Sequence, residues 1–436
     1  MTETKPYASS LRTKAIAIFS VDDETKPYAN ITKLVSHFYH IEDIMSPAYE
    51  GRLIVVDNAT SLISSMPIQG NEKVTVEVED TFDNTYTYTY RVWTVANRQN
   101  ADRKQVYTLG LISEEGLLNE RMKVAQAIEG DNITSVVGKL VQDNFDVEIT
   151  EGSFEETQNG CKLIPRRQSP FSVIRTLQTQ AIPRKKKQTA GFVFFQTREG
   201  FNFRSFDGLV ADYPKIPKNE WFYYSMGKRD EESANLIQEI SYIDEIDMMK
   251  KLREGSYSSL SCYFNINTGK YEESVYSMEK EWTKMEHLGS QTKLPQGSID
   301  RSKTPTRVLS SVVNNEFWYN GTQSAAIEGE NRVKDYSSSF IQQSIARAGL
   351  MFNQHLNIST TGHLELCAGD CIEIRIPSQQ AEVLKEGGDT WDPEHSGTFL
   401  VKRVTHQFHV TGDLVYSVLE LIRDSYGIKN KETKVK

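Results

Sequence analysis

Gly369-Asp370-Cys371-Ile372-Glu373-Ile374-Arg375-Ile376, then Phe399-Leu400-Val401-Lys402-Arg403-Val404, then Val415-Tyr416-Ser417-Val418: these pieces of the stretch 364–424 decide the fold, because the chain carries them twice. Near the N-terminus Gly70-Asn71 precedes the alternating run Val74-Thr75-Val76-Glu77-Val78. Tyr90-Arg91-Val92-Trp93-Thr94-Val95 and Val106-Tyr107-Thr108-Leu109 follow. A single offset of 309 residues sets Tyr90 on Phe399, Val92 on Val401 and Val95 on Val404. The same offset sets Val106 on Val415 and Tyr107 on Tyr416, so the hairpin between the two runs has one length in both copies. Antiparallel meanders resemble one another by composition alone, but equal spacing is what duplication of a β-unit produces. Apolar and polar residues alternate with period two in each copy, as expected for sheets with one buried and one wet face.

The rest of the composition is compatible with such a β-protein and excludes several alternatives. A length of 436 residues suggests roughly three domains. No run approaches the roughly 18 apolar residues of a membrane span, and Met1 to Pro6 has no apolar segment of signal-peptide type. The four cysteines, Cys161, Cys262, Cys367 and Cys371, are too few for a disulfide framework and are expected as reduced thiols in a protein folded in cytoplasm. A net charge of −9 argues against general binding to phosphates, which needs a basic surface.

Along the chain, residues 1–30 read as a polar arm and 31–115 as the first β-barrel, with strands at Glu50–Asp57, Lys73–Glu79, 86–90 and Val106–Ile112. Residues 116–210 change to a mixed α+β unit. Asp131 is the expected N-cap of a helix carrying the stripe Ile133, Val136, Val137, Leu140 and Val141. Pro170 opens a second helix, and Gly191–Gln196 with Phe201–Phe206 form a hairpin about Glu199-Gly200. Residues 211–254 and 345–436 form the second barrel. Residues 255–344 read as a strand-poor peripheral insertion, with a helix from Asp335 to Arg347. Gln379–Glu394 is an insertion relative to the first copy and is expected as a loop. The fold class is therefore mainly β with α+β insertions, built on two similar antiparallel barrels.

In order and spacing these residues resemble the baseplate hub protein of contractile-tailed, myovirus-type bacteriophages, related to the base of type VI secretion spikes. The residues concerned are Leu364-Glu365-Leu366, Gly369-Asp370, Ile372–Pro377, Ser396–Val401, Val404-Thr405-His406 and Tyr416–Asp424, with Tyr49–Asp57 and Pro67–Gly70 for the first barrel. Ser169-Pro170-Phe171, Gly191–Phe195 and Gly200–Ser205 are similar to the middle domain of hubs from large myoviruses. The resemblance is weakest over 1–30 and 255–340. It implies a homotrimer whose tube-type barrels form a pseudo-six-fold ring around a channel that lets DNA pass without specific binding. It also implies contacts with tail tube or tube-initiator proteins, the trimeric central spike and the baseplate wedge. The location implied is the virion tail, assembled in the host cytoplasm, with no enzymatic activity and no cofactor.

Reactive motifs are weak. His363, Cys367 and Cys371 are metal-ligand types, but strand alternation and Gly369-Asp370 contradict a helical array, and buried strand cysteines are expected instead. His37 and His40 read as exposed histidines of a β-segment. His406 and His409 stand where the first copy has Asn97 and Asn100, which argues against a metal site built into the fold. Glu279 and Glu281, or Asp244 and Glu245, are paired acids with no sign of a flanked cleft. Arg184–Lys187 reads as a solvated turn or an acidic-partner contact. Phosphate-loop, nucleophile-elbow and zinc-protease motifs are absent. No catalytic, cofactor or metal residue is assigned; the signature is the repeat itself, Gly70, Tyr90, Val95 and Tyr107 with Gly369, Asp370, Phe399, Val404 and Tyr416. A second functional class is a carbohydrate-binding or glycan-hydrolysing tail protein, with 86–90, Trp221–Tyr224 and Trp318-Tyr319 as stacking platforms. Mass in solution discriminates the two.

Overall fold

The structure is a computed structural model, and it describes residues 12–57, 62–79, 84–101, 104–130, 132–185, 190–211, 222–224, 235–244, 247–266, 269, 271–290, 305–313, 340–378, 391–392 and 394–427. The first unit contains β1 (Arg12–Ile18), β2 (Ala29–Asn30), β3 (Val35–Asp43), β4 (Glu50–Asp57), β5 (Lys73–Glu79), β6 (Thr85–Ala101) and β7 (Lys104–Ile112). Their order in the sheet is β3-β4-β7-β6-β5-β1-β2. The turn Thr32–Leu34 then leads β2 back into β3, so the sheet curls around one core. Alternation explains the curl: Val74, Val76 and Val78 meet Phe38, Leu53, Tyr90, Leu109 and Leu111 inside, while the intervening residues stay wet.

The expected N-terminal arm is corrected here. Residues 12–18 are a barrel strand paired antiparallel with β5, and Ala17 and Ile18 pair with Asn30 and Ala29 of β2. The reason lies in Ala15-Ile16-Ala17-Ile18, whose isoleucines are fully buried. The polar residues around this short run hide its alternation.

A middle unit follows, with β8 (Ile128–Gly130), β9 (Cys161–Leu163), β10 (Phe192–Thr197) and β11 (Gly200–Ser205) and the helices Glu114–Arg121, Ile133–Phe145 and Pro170–Gln178. Its aromatic core includes Phe145, Phe171, Phe194 and Phe201, with Phe194 stacked on Phe201 across the hairpin at 5.3 Å. The helix cap is Asn132, whose side chain accepts from Ser135 N–H at 2.7 Å; Asp131 lies outside the described residues.

The second barrel is closed. Its strands are β12 (Phe222–Tyr224), β13 (Leu236–Asp244), β17 (Gln354–Thr361), β18 (Cys371–Arg375), β19 (Gly397–His409) and β20 (Leu414–Arg423). They run β18-β12-β13-β17-β20-β19, and β19 pairs back onto β18. Between them the insertion forms β14 (Ser258–Asn265), β15 (Tyr271–Ser277) and β16 (Arg307–Val313), backed by the helix Phe340–Met351. Residues 255–344 were expected to be strand-poor, and they contain a three-stranded sheet. The buried face of β14 is made by Ser259, Ser261 and Tyr263, so small hydroxyls occupy positions where a hydrophobic pattern would look for valine or leucine.

The two barrels repeat one another strand by strand. The five strands β3, β4, β5, β6 and β7 correspond to β13, β17, β18, β19 and β20 in the same chain order. The registers agree at two of the irregularities. A bulge between Val92 and Thr94 on β6 matches one between Val401 and Arg403 on β19. A bulge between Val35 and His37 on β3 matches one between Ile237 and Glu239 on β13. Bulges re-aim a strand and are kept as designed features, so two coincidences of this kind mark one unit used twice.

Register also refines the pairing read from sequence. The offset of 309 holds for Tyr90 with Phe399, Val92 with Val401 and Val95 with Val404. On the return strand Leu109 and Leu419 are equivalent, as are Leu111 and Leu421, each one residue further on. Tyr107 therefore corresponds to Ser417, not Tyr416. Tyr107 points into the core, and Tyr416 stands half-buried on the other face. A slip of one residue exchanges the faces of a strand. The turn from Ala101 to Lys104 is two residues shorter than that from His409 to Leu414, and the irregularity between Ala96 and Gln99 on β6 restores one, which leaves the offset of one residue.

The turn before the third strand shifts in the same way. Asn71 N–H donates to Val92 O and Gly369 N–H to Val401 O, at 2.7 and 2.8 Å. Glu72 accepts from Gln69 N–H, and Asp370 accepts from Cys367 N–H, each three residues back. Asn71-Glu72 is thus the counterpart of Gly369-Asp370, and both Asn71 and Gly369 have left-handed φ, 77° and 93°. Gly369 is held there with no room for a side chain: an added Cβ would meet Phe195 Cζ at 2.8 Å. Gly369→Val is expected to cost about 2–4 kcal/mol from backbone strain and overpacking. Urea unfolding followed by the barrel's circular dichroism measures it, and an unchanged midpoint would refute the assignment.

Candidate functional site: the inter-barrel seam and its open counterparts

The two barrels are joined edge to edge. β3 of the first pairs antiparallel with β19 of the second, from Arg403 opposite Asp43 to His409 opposite His37. One continuous sheet therefore runs β7-β4-β3-β19-β20-β17 through both units. β19 serves two neighbours along one edge: residues 397–400 pair with β18 and 403–409 pair with β3.

The inner side of the seam is a buried polar cluster. β3 alternates Phe38, His40 and Glu42 into the interior. Glu42 accepts from His40 Nε2 at 3.0 Å, from Arg198 N–H at 2.6 Å and from Ala368 N–H at 3.0 Å. Those three partners belong to the first barrel, the middle unit's β10–β11 turn and the second barrel. Burial raises the Glu42 pKa, but the hydrogen bonds and charge of His40 with the two amides outweigh it and leave it below the usual carboxylate value. The Tyr90 hydroxyl lies 2.5 Å from His40 Nδ1 and donates to it when the ring is neutral. His40 stacks at 6.1 Å on His406, its opposite residue across the seam. His406 Nδ1 accepts from Ser417 Oγ, and Nε2 donates to Leu366 O. His40 is thus wholly buried, which corrects its reading as an exposed histidine. The alternation Phe38, His40, Glu42 was the available signal, since it puts the acid in phase with the core.

One end of the seam is held by charge. Lys402 Nζ sits 3.2 Å from Asp43 Oδ2 and 2.8 Å from Glu420 Oε1. Arg403 reaches the same two carboxylates, and His355 Nε2 lies 2.7 Å from Glu420. Against the opposing pull of burial, His355 and Lys402 draw the Glu420 pKa down to about 2.

The histidines are expected to make the seam acid-labile. Burial drops the His406 pKa to about 3, and burial with the neighbouring His409 lowers His37. A histidine held neutral in the fold contributes stability above its unfolded pKa of 6.5, which is lost as pH falls from there toward the folded value. Glu42 adds loss of the same sign below 4.5. Urea midpoints at pH 7.5, 6.0 and 5.0 are expected to fall in that order, and His406→Gln to flatten the fall.

The seam strands have counterparts whose equivalent edges carry no strand among the described residues. On β6, β5 covers the edge as far as Arg91 opposite Lys73, and among the described residues no strand covers 94–101 on that side. On β13, β12 covers Leu236 and Ile237, and no described strand covers the same edge from Glu239 to Asp244. These are the positions equivalent to the seam-forming parts of β19 and β3.

The remaining expected residues are dispersed. His363 lies beside Glu365, and Cys371 donates to Leu209 O. Among the described residues no group of three His, Cys, Asp or Glu could hold a metal. Arg184 pairs with Glu156 on the surface, while 186 and 187 lie outside the described residues. Of the stacking platforms, Tyr88 and Tyr90 are core residues, and Trp221, Trp318 and Tyr319 lie outside the described residues. Most of the insertion 379–394 does so as well.

Known structures share the fold. The tail protein from Neisseria meningitidis MC58 aligns with a TM-score of 0.51 at 10% identity, over 94% of this chain and 96% of that one. The 43 kDa tail protein of prophage MuSo2 from Shewanella oneidensis aligns with a TM-score of 0.53 at 9% identity, over 94% and 99%. The chain has the fold of phage tail proteins. An Escherichia coli type VI secretion component, itself described as similar to bacteriophage T4 tail proteins, aligns over 91% of this chain and 76% of that one at 10% identity, with a TM-score of 0.39. No protein family and no curated protein matches in sequence.

Proposed function

We propose that this protein is the structural hub of a phage tail baseplate: a homotrimer whose six barrels ring a channel. The observation that carries the proposal is the duplication in register, because two equivalent units per chain turn a three-fold assembly into a pseudo-six-fold one. Such a ring matches a hexameric tube on one face and a trimeric spike on the other, with wedge proteins at its rim. Tube or tube-initiator and spike proteins are the expected partners, and the virion tail is the expected location, with assembly in the host cytoplasm. The face of the seam turned away from both cores suits a DNA channel. Tyr39, Thr405, Gln407, Tyr416, Asn357 and Ser359 present neutral polar groups there, beside Arg52 opposite Tyr39 and Arg403, which is paired with Asp43 and Glu420, and duplex DNA is gripped through phosphates by cations.

No enzymatic role is proposed. The carbohydrate alternative loses two of its stacking residues, since Tyr88 and Tyr90 are inside the barrel. Sedimentation equilibrium with negative-stain imaging tests the hub. A trimer with a central hole is expected, and a monomer that binds or cleaves cell-wall glycan would overturn it.

A further inference from the structure

We infer that the outer face of the sheet β15-β14-β16 is a docking surface for an amphipathic helix of another protein, with a basic residue of that helix set beside Glu273. This three-stranded sheet distributes its residues the opposite way from the barrels. Toward the helix Phe340–Met351 it turns the buried Ser259, Ser261 and Tyr263, with Tyr276 and Ser274 opposite the two serines on β15. Gln342 of that helix donates to Ser259 O and Ser274 O. Hydroxyls therefore make the covered side.

The hydrocarbon of the same strands lies on the other side. Register puts Val275, Leu260 and Val308 in one row across the sheet, and Tyr271, Phe264 and Val312 in a second row. Between the rows stand Glu273, Cys262 and Ser310. Val275, Val308 and Val312 are 56%, 60% and 63% exposed, and Tyr271 and Phe264 are 60% and 46% exposed. Single apolar side chains at a surface are ordinary, but a contiguous apolar face marks an interaction site. A sheet with hydroxyls inside and hydrocarbon outside is complete only when a second layer covers it.

Symmetry, size and charge identify that layer. A patch that meets its own equivalent on a second copy needs a two-fold axis. The ring proposed above has a three-fold axis, and two rings joined back to back would lose the distinct ends that a tube and a spike require. The partner is therefore an unlike chain, a step that rests on the hub reading, and each subunit of the ring offers one site. By ordinary strand spacing and rise, the two rows and the residues between them span about 10 Å across the strands and about 13 Å along them. That is the width of one helix with its side chains and the length of about nine helical residues. The helix Phe340–Met351 already covers the inner side in this way. Apolar residues at i, i+3, i+4 and i+7 supply the stripe. Glu273 is exposed, is the one charged residue of the face, and accepts from the Tyr271 hydroxyl at 2.8 Å. A lysine or arginine at the edge of the stripe pairs with it. An exposed pair adds little energy, but it fixes orientation and rejects acidic competitors.

The test uses the full chain, with the thiol of Cys262 as reporter, since Cys161, Cys367 and Cys371 are buried. Three synthetic peptides of about 18 residues, long enough to be helical, serve as probes. Two share a leucine stripe, flanked by lysine in one and by glutamate in the other, and the third is a scrambled isomer of the lysine peptide. The lysine peptide is expected to slow alkylation of Cys262 on the order of tenfold at saturation, and the other two to leave it unchanged. Glu273→Lys should transfer the protection to the glutamate peptide. Val308→Lys with Val312→Lys should abolish it while circular dichroism and oligomeric state stay the same. Equal protection by all three peptides, or none by any, overturns the site. So does a Cys262 that resists alkylation in the chain alone, because the face is then already covered by this chain or a second copy. Sedimentation of the same samples separates the two readings: a monomer that still discriminates the peptides overturns the hub and keeps the site, and a trimer that does not discriminate them overturns the site and keeps the hub.

Discussion

Glu42→Ala is expected to lower the unfolding free energy by about 3–5 kcal/mol, the range found when one member of a buried, hydrogen-bonded charge set is removed. The carboxylate is 1% exposed and is the acceptor for His40, Arg198 N–H and Ala368 N–H. Truncation leaves an imidazole and two amides facing a void, and each unsatisfied buried donor carries its desolvation cost. Because those donors come from three units, the loss is expected to be shared. Hydrogen exchange of amides in β3, in the β10–β11 turn and at 366–368 should quicken together. If only β3 exchanged faster, Glu42 would be a local strand residue and not the junction of the three units. Glu42→Gln keeps the shape and one acceptor oxygen, and should recover part of the stability.

The second large effect is expected at Arg347, which is 1% exposed and lies between two buried carboxylates. Its guanidinium reaches Asp424 Oδ2 and Asp207 Oδ1, each at 2.8 Å, and donates to Glu286 O at 2.7 Å. Asp424 is bound in addition by His287 and by Leu288 N–H. Burial works against the Asp424 charge, but Arg347 and His287 overcome it and hold the pKa far below the usual carboxylate value. Arg347→Met should cost about 3–5 kcal/mol, since two buried carboxylates then lose the guanidinium they share. Trp282, stacked on His287 at 3.9 Å, reports the change by fluorescence. Adding Asp207→Asn and Asp424→Asn to Arg347→Met should return most of the loss. If the triple variant were no more stable than the single one, packing by the arginine stem and not charge would be the cause.

Much of the fold is legible because strands with one wet face show their alternation directly. Val74, Val76 and Val78, or Ile372 and Ile374, cannot be turned outward without exposing several apolar side chains at once, so their phase is set by the residues themselves. The short strands are illegible for the opposite reason. Phe222–Tyr224 has three residues, too few for a period, and Ser259 and Ser261 bury hydroxyls where the pattern expects hydrocarbon. The seam was only half visible. Phe38, His40 and Glu42 share a face in any strand, yet nothing local says that this face meets Arg198, 156 residues later, or Ala368, 326 residues later.

The repeat shows where sequence stops. By itself the sequence determined that a β-unit occurs twice, through Tyr90 and Phe399, Val92 and Val401, Val95 and Val404, because equal burial selects similar side chains at equal spacing. Tertiary structure alone decided the register. The first hairpin is one residue shorter than the second between equivalent pairs, Ala96 with Thr108 and Thr405 with Val418, so Tyr107 goes to the core and Tyr416 to the outer face. It also decided which edges are joined. Backbone hydrogen bonds carry no side-chain identity, so the pairing of β3 with β19 exists only once the chain has closed around its two cores.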